Sequence, residues 1–297
     1  MNKLIERVDD NGVHWISIAQ GSAAAYGYRT LNGFDSGLDL MLQKIASGLD
    51  FEAFSERLTF DTQLSPPCLN TCPVIPLKPS EPRDCYVSGF GYTHTHVNAV
   101  RAPAREAPDW YYKGNGNSLV VAQKIVTTPF HACSAGFEVE YICVYVIDHL
   151  RNPRYCGYTL AFDFSDPDLR HRHPSLAGLS KLRQTVVCPE LVLGDLPQQT
   201  TVSSSVIRKG EVAWKKSSQL GSAQLNISKP ELETMLFQHD TLCEPGTVHF
   251  VLLGAAISSD RDGFQLKDGD LITACSDLDS LEISVNYEDE AVRCSCN

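Results

Sequence analysis

The sequence lacks the features that would place it in a membrane or on a nucleic acid. No apolar run approaches the roughly 20 residues that cross a bilayer, and residues 1–10 carry both signs of charge where a signal peptide would be apolar. The net charge of -11 comes from dispersed acids, with no basic stripe or Lys/Arg cluster. We therefore expect a soluble, cytoplasmic protein without a nucleic-acid or membrane partner.

The eleven cysteines lack the arrangement of a disulfide framework. Their number is odd, and neither Cys68 with Cys72 nor Cys294 with Cys296 has C-x-x-C spacing. No His pair follows at zinc-finger distance. We expect buried or surface thiols and no zinc site.

The chain divides into three predicted segments, with no internal repeat or low-complexity tract. Residues 1–65 contain β-like runs at 4–8 and 13–18 and a helical pattern after Ser36, which indicates a small α+β domain. Six prolines crowd residues 66–82, which predicts a linker. Residues 83–297 form the main domain, in which a helix is predicted over 229–237 with Ser228 as its cap. Its period-two pattern predicts strands at 85–90, 118–121, 138–148, 154–161, 202–209, 248–253 and 271–275.

Two acids stand inside an otherwise apolar, β-forming run at residues 136–147. Because strand side chains alternate between faces, Glu138 and Glu140 share a face and lie next to each other. Two neighbouring carboxylates in a buried strand are costly through desolvation and repulsion, and a divalent cation relieves both costs. The strand therefore indicates half of a metal site.

A third acid, Asp163, follows this pair by the length of one hairpin. Antiparallel pairing would bring Asp163 beside Glu138 and Glu140 and give three oxygen ligands, a set that suits Mg²⁺ or Mn²⁺. The alternative is that Asp163 or Asp166 only caps the turn that follows the strand.

Several motifs in order resemble the fumarylacetoacetate hydrolase superfamily. They are the Glu138-x-Glu140 strand, the 163–166 sequence DFSD, the 179–183 sequence LSKLR and Gly194-Asp195. Residues 189–192 (PELV) resemble its branch related to 2-keto-3-deoxy sugar-acid dehydratases. The segment 108–114 (PDWYYKG) resembles the family's aromatic-lysine segment, and 266–270 (LKDGD) its closing turn.

This resemblance implies an α+β, mostly β fold, with a mixed β-roll or β-sandwich catalytic domain, a small N-terminal domain and usually a homodimer. It also implies Mg²⁺ (or Mn²⁺) held by Glu138, Glu140 and Asp163. The metal would chelate a small 2-oxo or β-diketo acid and stabilise an enolate. Lys181 lies where the family has a lysine near the metal, so that its ammonium would pair with enolate charge or, with a lowered pKa, move a proton.

Further site residues are less sharply defined. His94 and His96 follow a Gly-x-Gly loop and are candidates for a general base that activates water, or are structural. Lys113, in the aromatic-lysine segment, and Arg170, in a cationic cluster, are candidate substrate-binding residues, although a solvated turn also explains Arg170. Gly254 and Ala255 stand where the family often has Gly-Thr at the substrate carboxylate, so a hydroxyl donor is missing.

The first functional hypothesis is hydrolysis of a C–C bond in a small 2-oxo or β-diketo acid. The alternatives are dehydration of a 2-keto-3-deoxy sugar acid, then decarboxylation or tautomerisation, all of which begin with the same enolate. A non-catalytic family member is the remaining alternative, because Ala255 and the shifted histidine loop depart from the family pattern.

Overall fold

The structure, a computed structural model, describes residues 2–20, 27–31, 33–60, 71–94 and 109–294. Within these ranges the strands are β1 (Asn2–Asp9), β2 (His14–Gln20), β3 (Gly27–Leu31), β4 (Thr71–Pro73), β5 (Cys85–Gly91), β6 (Asp109–Asn115), β7 (Leu119–Val121), β8 (Ile125–Thr128), β9 (Gly136–Ile147), β10 (Pro153–Ser165), β11 (Thr185–Val187), β12 (Glu190–Val192), β13 (Thr200–Arg208), β14 (Glu211–Leu220), β15 (Val248–Leu252), β16 (Ile257–Ser258), β17 (Leu271–Ser276) and β18 (Leu281–Asp289). The helices are α1 (Gly37–Ser47), α2 (Phe51–Ser55), α3 (Pro167–Arg172), α4 (Ala177–Ser180), α5 (Lys229–Phe237) and α6 (Glu290–Cys294).

Two mixed sheets build the fold. The larger has the order β3-β2-β1-β12-β10-β9-β15-β5-β6, and outside this order β4 pairs with β1, β16 with β9, and β11 with both β10 and β7. The smaller has the order β14-β13-β17-β18-β8. The long antiparallel hairpin of β9 and β10 lies at the centre of the larger sheet, and β15 joins β9 to β5. The architecture confirms the predicted α+β, mostly β fold class.

The two faces of β9 contribute to different hydrophobic cores. Phe137, Val139 and Tyr141 belong to the core that the larger sheet shares with the smaller one. Ile142 and Val144 belong to a second core on the opposite face, which contains side chains of α1 and of the N-terminal strands. This alternation follows from the strand's period of two. It puts Glu138 and Glu140 on the face that turns away from the smaller sheet.

The strands and the helix predicted after residue 83 are found, but seven of the fourteen strands described there were not predicted, namely β6, β8, β11, β12, β14, β16 and β18. Each of the seven strands predicted after residue 83 overlaps an observed one, and α5 begins and ends as predicted, with a capping box at Ser228 and Glu231. Ser36 caps α1 by accepting a hydrogen bond from the Asp39 amide at 3.1 Å. None of the helices in the described ranges combines the length and apolarity that crossing a bilayer requires.

The N-terminal segment is joined to the rest by a strand pair. β1 pairs with β12, so that β1, β2 and β3 continue the larger sheet. β4 pairs with β1 and lies inside the segment predicted as a linker. Residues 61–70, which include the start of that segment and Cys68, lie outside the described ranges. The division into 1–65, 66–82 and 83–297 stays a prediction.

Candidate metal centre

The β9–β10 hairpin brings the three predicted ligands together. Asp163 is the direct cross-strand partner of Glu138, and Glu140 pairs with Ala161 in the same register. Directly opposed residues in an antiparallel pair project on the same face, so the three carboxyl groups converge. Asp163 therefore belongs to the cluster, whereas Asp166 is the residue that caps the following helix, by accepting from the Leu169 amide.

Glu138, Glu140 and Asp163 each offer an oxygen atom within 4.8 Å of the others. No other such group of three His, Cys, Asp or Glu residues occurs in the part of the chain that the structure describes. Glu140 and Asp163 are buried, and the Glu138 side chain keeps 16% exposure, so the cluster has one open side. Three hard oxygen donors with an open side fit Mg²⁺ or Mn²⁺, which accept water and substrate at the remaining positions.

Lys181 lies directly against this cluster. Its ammonium nitrogen donates to Glu138 Oε2 at 2.5 Å and to Asp163 Oδ2 at 2.6 Å. Burial lowers the pKa of Lys181, but the charges of Asp163, Glu138 and Glu140 outweigh it and raise the pKa above its usual value. Lys181 is thus an ammonium group at neutral pH. This direction favours charge pairing over the proposal that a lowered pKa lets it move a proton.

Hydrogen bonds of Asp166 hold the segment that leads from Asp163 to Lys181. The Asp166 amide donates to the Ser180 carbonyl at 2.9 Å, which holds the end of α4 against the end of β10. The Asp166 carboxylate accepts from the amides of Cys133 and Ser134 and from Arg183. A hydrogen-bonded carboxylate thus anchors the turn that carries Lys181.

A second buried lysine, Lys113, contacts the other oxygen of Asp163. Its nitrogen lies 2.5 Å from Asp163 Oδ1 and donates to the carbonyls of Phe164 (2.8 Å) and Lys181 (3.0 Å). Burial raises the pKa of Asp163, but Lys113 and Lys181 outweigh this and lower it to about 2. Lys113 thus donates two hydrogen bonds and forms an ion pair with Asp163 Oδ1. Its side chain is fully buried, so its contacts are with the protein itself. Its role in substrate binding stays a prediction.

Tyr111, which the sequence analysis did not select, is a further contact of Asp163. It precedes Lys113 by two residues on β6, and its hydroxyl donates to Asp163 Oδ2 at 2.8 Å. Burial, followed by the charge of Asp163, raises the pKa of Tyr111 well above its usual value, so the phenol stays a donor. The signal for Tyr111 was its alternation with Lys113, which puts both side chains on one face of a strand.

Glu140 is held by the backbone at Gly254, whose amide donates to Glu140 Oε2 at 2.8 Å. Gly254 has a φ of 132°, and a Cβ there would lie 2.2 Å from the Thr93 hydroxyl oxygen, so both conformation and space require glycine. Burial, then Asp163 and Glu138, raises the pKa of Glu140 well above its usual value. The Gly254 amide therefore orients the carboxylate of Glu140, one of the three predicted metal ligands. Ala255, the next residue, is half-buried. Whether Gly254 and Ala255 bind substrate stays a prediction.

The remaining predicted residues lie in different surroundings. His94 is 1% exposed, and its Nε2 lies 2.9 Å from the Gln219 carbonyl oxygen on β14. Arg170, on α3, pairs with Asp260 at 3.3 Å. His96 lies outside the described residues. The catalytic roles of His94 and His96 and the substrate-binding role of Arg170 stay predictions.

Solved structures with this fold cover nearly the whole chain. A 2-keto-3-deoxy-D-arabinonate dehydratase complexed with magnesium and 2,5-dioxopentanoate matches with 18% identity and a TM-score of 0.69, over 97% of this chain and 99% of its own. A 2-hydroxyhepta-2,4-diene-1,7-dioate isomerase from Mycobacterium marinum matches with 14% identity and a TM-score of 0.65, over 98% and 99%. A 5-carboxymethyl-2-hydroxymuconate delta-isomerase from Mycobacterium smegmatis matches with 15% identity and a TM-score of 0.62, over 97% and 100%.

No protein-family model and no curated protein matches the sequence. The structural matches nevertheless extend from the first strands to the last, at identities that establish the fold alone. The chain therefore has the fold of the fumarylacetoacetate hydrolase superfamily, as its motifs implied.

Proposed function

We propose that the protein is a divalent-metal-dependent enzyme that acts on a small 2-oxo or β-diketo acid through an enolate. The observation that carries this proposal is the convergence of Glu138, Glu140 and Asp163 within 4.8 Å, with Lys181 against them. The donor set favours Mg²⁺ or Mn²⁺ over zinc, since it contains carboxylate oxygens and neither thiolate nor imidazole.

The charges around the cluster favour an anionic substrate. When all three carboxylates are ionised, as metal ligands are, the ammonium groups of Lys113 and Lys181 offset two of the three negative charges. A bound divalent cation would therefore leave the ionised site with one positive charge in excess. A carboxylate on the substrate would balance that excess in a buried, low-dielectric site.

The chemistry divides between the cation and Lys181. Glu138, Glu140 and Asp163 would hold the cation, which would supply Lewis acidity to the keto group of a 2-oxo acid that chelates it. Lys181 presents its ammonium nitrogen beside Glu138 and Asp163, where it can pair with the oxygen that becomes negative as an enolate forms. Asp163 itself is held by Lys113 at Oδ1 and by the Tyr111 hydroxyl at Oδ2.

Two reactions that pass through such an enolate are candidates: in C–C hydrolysis it is the group released when the bond breaks, and in dehydration it forms by loss of a proton. Hydrolysis of a C–C bond needs a base that activates water, and His94 and His96 are its candidates. Dehydration of a 2-keto-3-deoxy sugar acid needs no water to attack, because a C3 proton is removed to form the enolate, which expels the C4 hydroxyl group, and the proton and the hydroxyl leave together as water. Two observations favour dehydration. The Nε2 atom of His94 contacts the Gln219 carbonyl oxygen, so that nitrogen is engaged by the protein, and one similar structure is a dehydratase complexed with magnesium.

Metal binding tests the common part of the proposal. Protein treated with EDTA and dialysed should take up about one Mn²⁺ and gain thermal stability, by about 2.7 kcal/mol at a metal concentration of 100 times Kd. Glu140→Ala should abolish this gain, and Glu282→Ala, which removes an exposed acid from β18, should preserve it. If the wild-type protein neither binds Mn²⁺ or Mg²⁺ nor shifts its melting temperature, the proposed metal-dependent function is refuted.

Product analysis distinguishes the two reactions. The metal-loaded protein is incubated with a 2-keto-3-deoxy pentonate and separately with an acylpyruvate, and products are identified by mass spectrometry. Cleavage of the acylpyruvate would establish hydrolysis. Loss of water from the pentonate, without cleavage of the acylpyruvate, would establish dehydration.

A further inference from the structure

The inward face of β6 contacts both oxygens of Asp163. Tyr111 and Lys113 are 7% and 2% exposed, whereas Tyr112 between them points outward and is 39% exposed. Lys113 lies on Oδ1, and the Tyr111 hydroxyl donates to Oδ2. The carboxylate is thus held at both ends by one strand that contributes none of the three metal ligands.

Tyr111 differs from the two lysines because it orients Asp163 without adding charge. Lys181 also donates to Oδ2, but its ammonium carries a positive charge and pairs with the same carboxylates that would bind the cation. A phenol donates one hydrogen bond and, being neutral, does not compete with a cation or a substrate for the negative charge of the carboxylates. Hydrogen bonds of this kind fix the orientation of a metal-ligating carboxylate before the metal arrives.

Gly89 gives Tyr111 the room to reach Asp163. The two residues are direct partners in the β5–β6 pair. A Cβ at position 89 would lie 2.5 Å from the Tyr111 hydroxyl oxygen, 2.6 Å from its Cζ and 2.9 Å from Leu252 Cβ. β5 is held between β6 and β15, so it cannot shift away from the ring. The tyrosine therefore lies against a position that only glycine leaves free.

We propose that Tyr111 is a positioning residue for the metal ligand Asp163, and that Gly89 is required opposite it so that the hydroxyl reaches the carboxylate. This inference rests on the proposed function, because it assigns Asp163 to the metal. It adds to that function the residues that orient one ligand.

The test measures Mn²⁺ affinity, by the electron paramagnetic resonance signal of free Mn²⁺, for the wild type, Tyr111→Phe and Tyr112→Phe. We expect Tyr111→Phe to bind Mn²⁺ about 10-fold more weakly, as loss of an outer hydrogen bond to a metal ligand does. Tyr112→Phe removes the neighbouring outward hydroxyl and should bind like the wild type. The spectrum of bound Mn²⁺ should change in Tyr111→Phe only, which a general loss of stability would not produce.

Gly89→Ala provides a second variant, in which the hydroxyl is kept but pushed away from Asp163. It should weaken Mn²⁺ binding in the same direction, and it replaces Tyr111→Phe if that variant does not fold. Wild-type affinity and spectrum in folded Tyr111→Phe would overturn this inference and leave the proposed function intact. A wild-type protein that binds no Mn²⁺ would overturn both.

Discussion

Replacement of Lys113 by methionine gives the sharpest test of how the acid cluster is stabilised. Methionine keeps most of the side-chain volume and removes the ammonium group. Its loss leaves Asp163 Oδ1 and the carbonyls of Phe164 and Lys181 without the donor that lies 2.5 to 3.0 Å away. Burial lowers the pKa of Lys113, and the charge of Asp163 partly offsets this.

The expected cost is about 3–5 kcal/mol, the range for removing one partner of a buried ion pair. Such a loss is a large part of the 5–15 kcal/mol that typically stabilises a folded protein. The measurement is equilibrium urea unfolding with EDTA present, so that metal binding does not contribute. Lys124→Met, which removes an exposed lysine, is the control and should change the free energy of unfolding by less than about 0.5 kcal/mol.

The double variant Lys113→Met/Asp163→Asn separates charge pairing from packing. Each single change leaves the other charged group buried with fewer partners, whereas the double change removes both charges. The sum of the single costs should therefore exceed the cost of the double variant by about 0.5–3 kcal/mol. A Lys113→Met cost below about 1 kcal/mol, or additive costs, would refute the role of Lys113 as a counter-charge that stabilises Asp163.

Three further predictions concern the ligands, the chemistry and pH. Glu140→Ala should lose metal binding and turnover together, and activity in this variant would place the site elsewhere. Lys181→Ala should still bind Mn²⁺ but turn over substrate about 100-fold more slowly, as checked by single-turnover kinetics. Burial lowers the pKa of His249 from 6.5 to about 4. As pH falls, His249 is therefore protonated in the unfolded chain before it is protonated in the folded protein. The free energy of unfolding should fall by about 3 kcal/mol between pH 6.5 and pH 4. In His249→Phe this part of the pH dependence should disappear from urea unfolding curves, and an unchanged slope would contradict it.

The β9–β10 hairpin was predictable from local pattern because its residues are close in sequence. Alternation assigned Glu138 and Glu140 to one face, and the hairpin's length brought Asp163 to them. Both statements need only the period of a strand and the antiparallel register. The cap at Ser228 is local in the same way.

The role of Tyr111 was not predictable, because it depends on contacts between distant parts of the chain. The ring contacts Asp163 on β10, although β5, β15 and β9 lie between β6 and β10 in the order of the larger sheet, and β5 pairs with β15 in parallel. Nothing in the local sequence specifies that order. The requirement at Gly89 follows from the same arrangement, since the residue that fills its space comes from a neighbouring strand.

The two lysines change the reason for expecting a metal at this site. From sequence, three buried acids alone indicated a cation, because uncompensated carboxylates are costly. In the structure, Lys181 contacts Glu138 and Asp163, and Lys113 contacts Asp163, so these two acids have cationic partners within the protein. Glu140 is different: it accepts from the Gly254 amide, and its pKa is raised well above its usual value by burial and by the other two acids. The case for a divalent cation therefore depends most on Glu140, which is why Glu140→Ala tests metal binding more directly than a change at either of its neighbours.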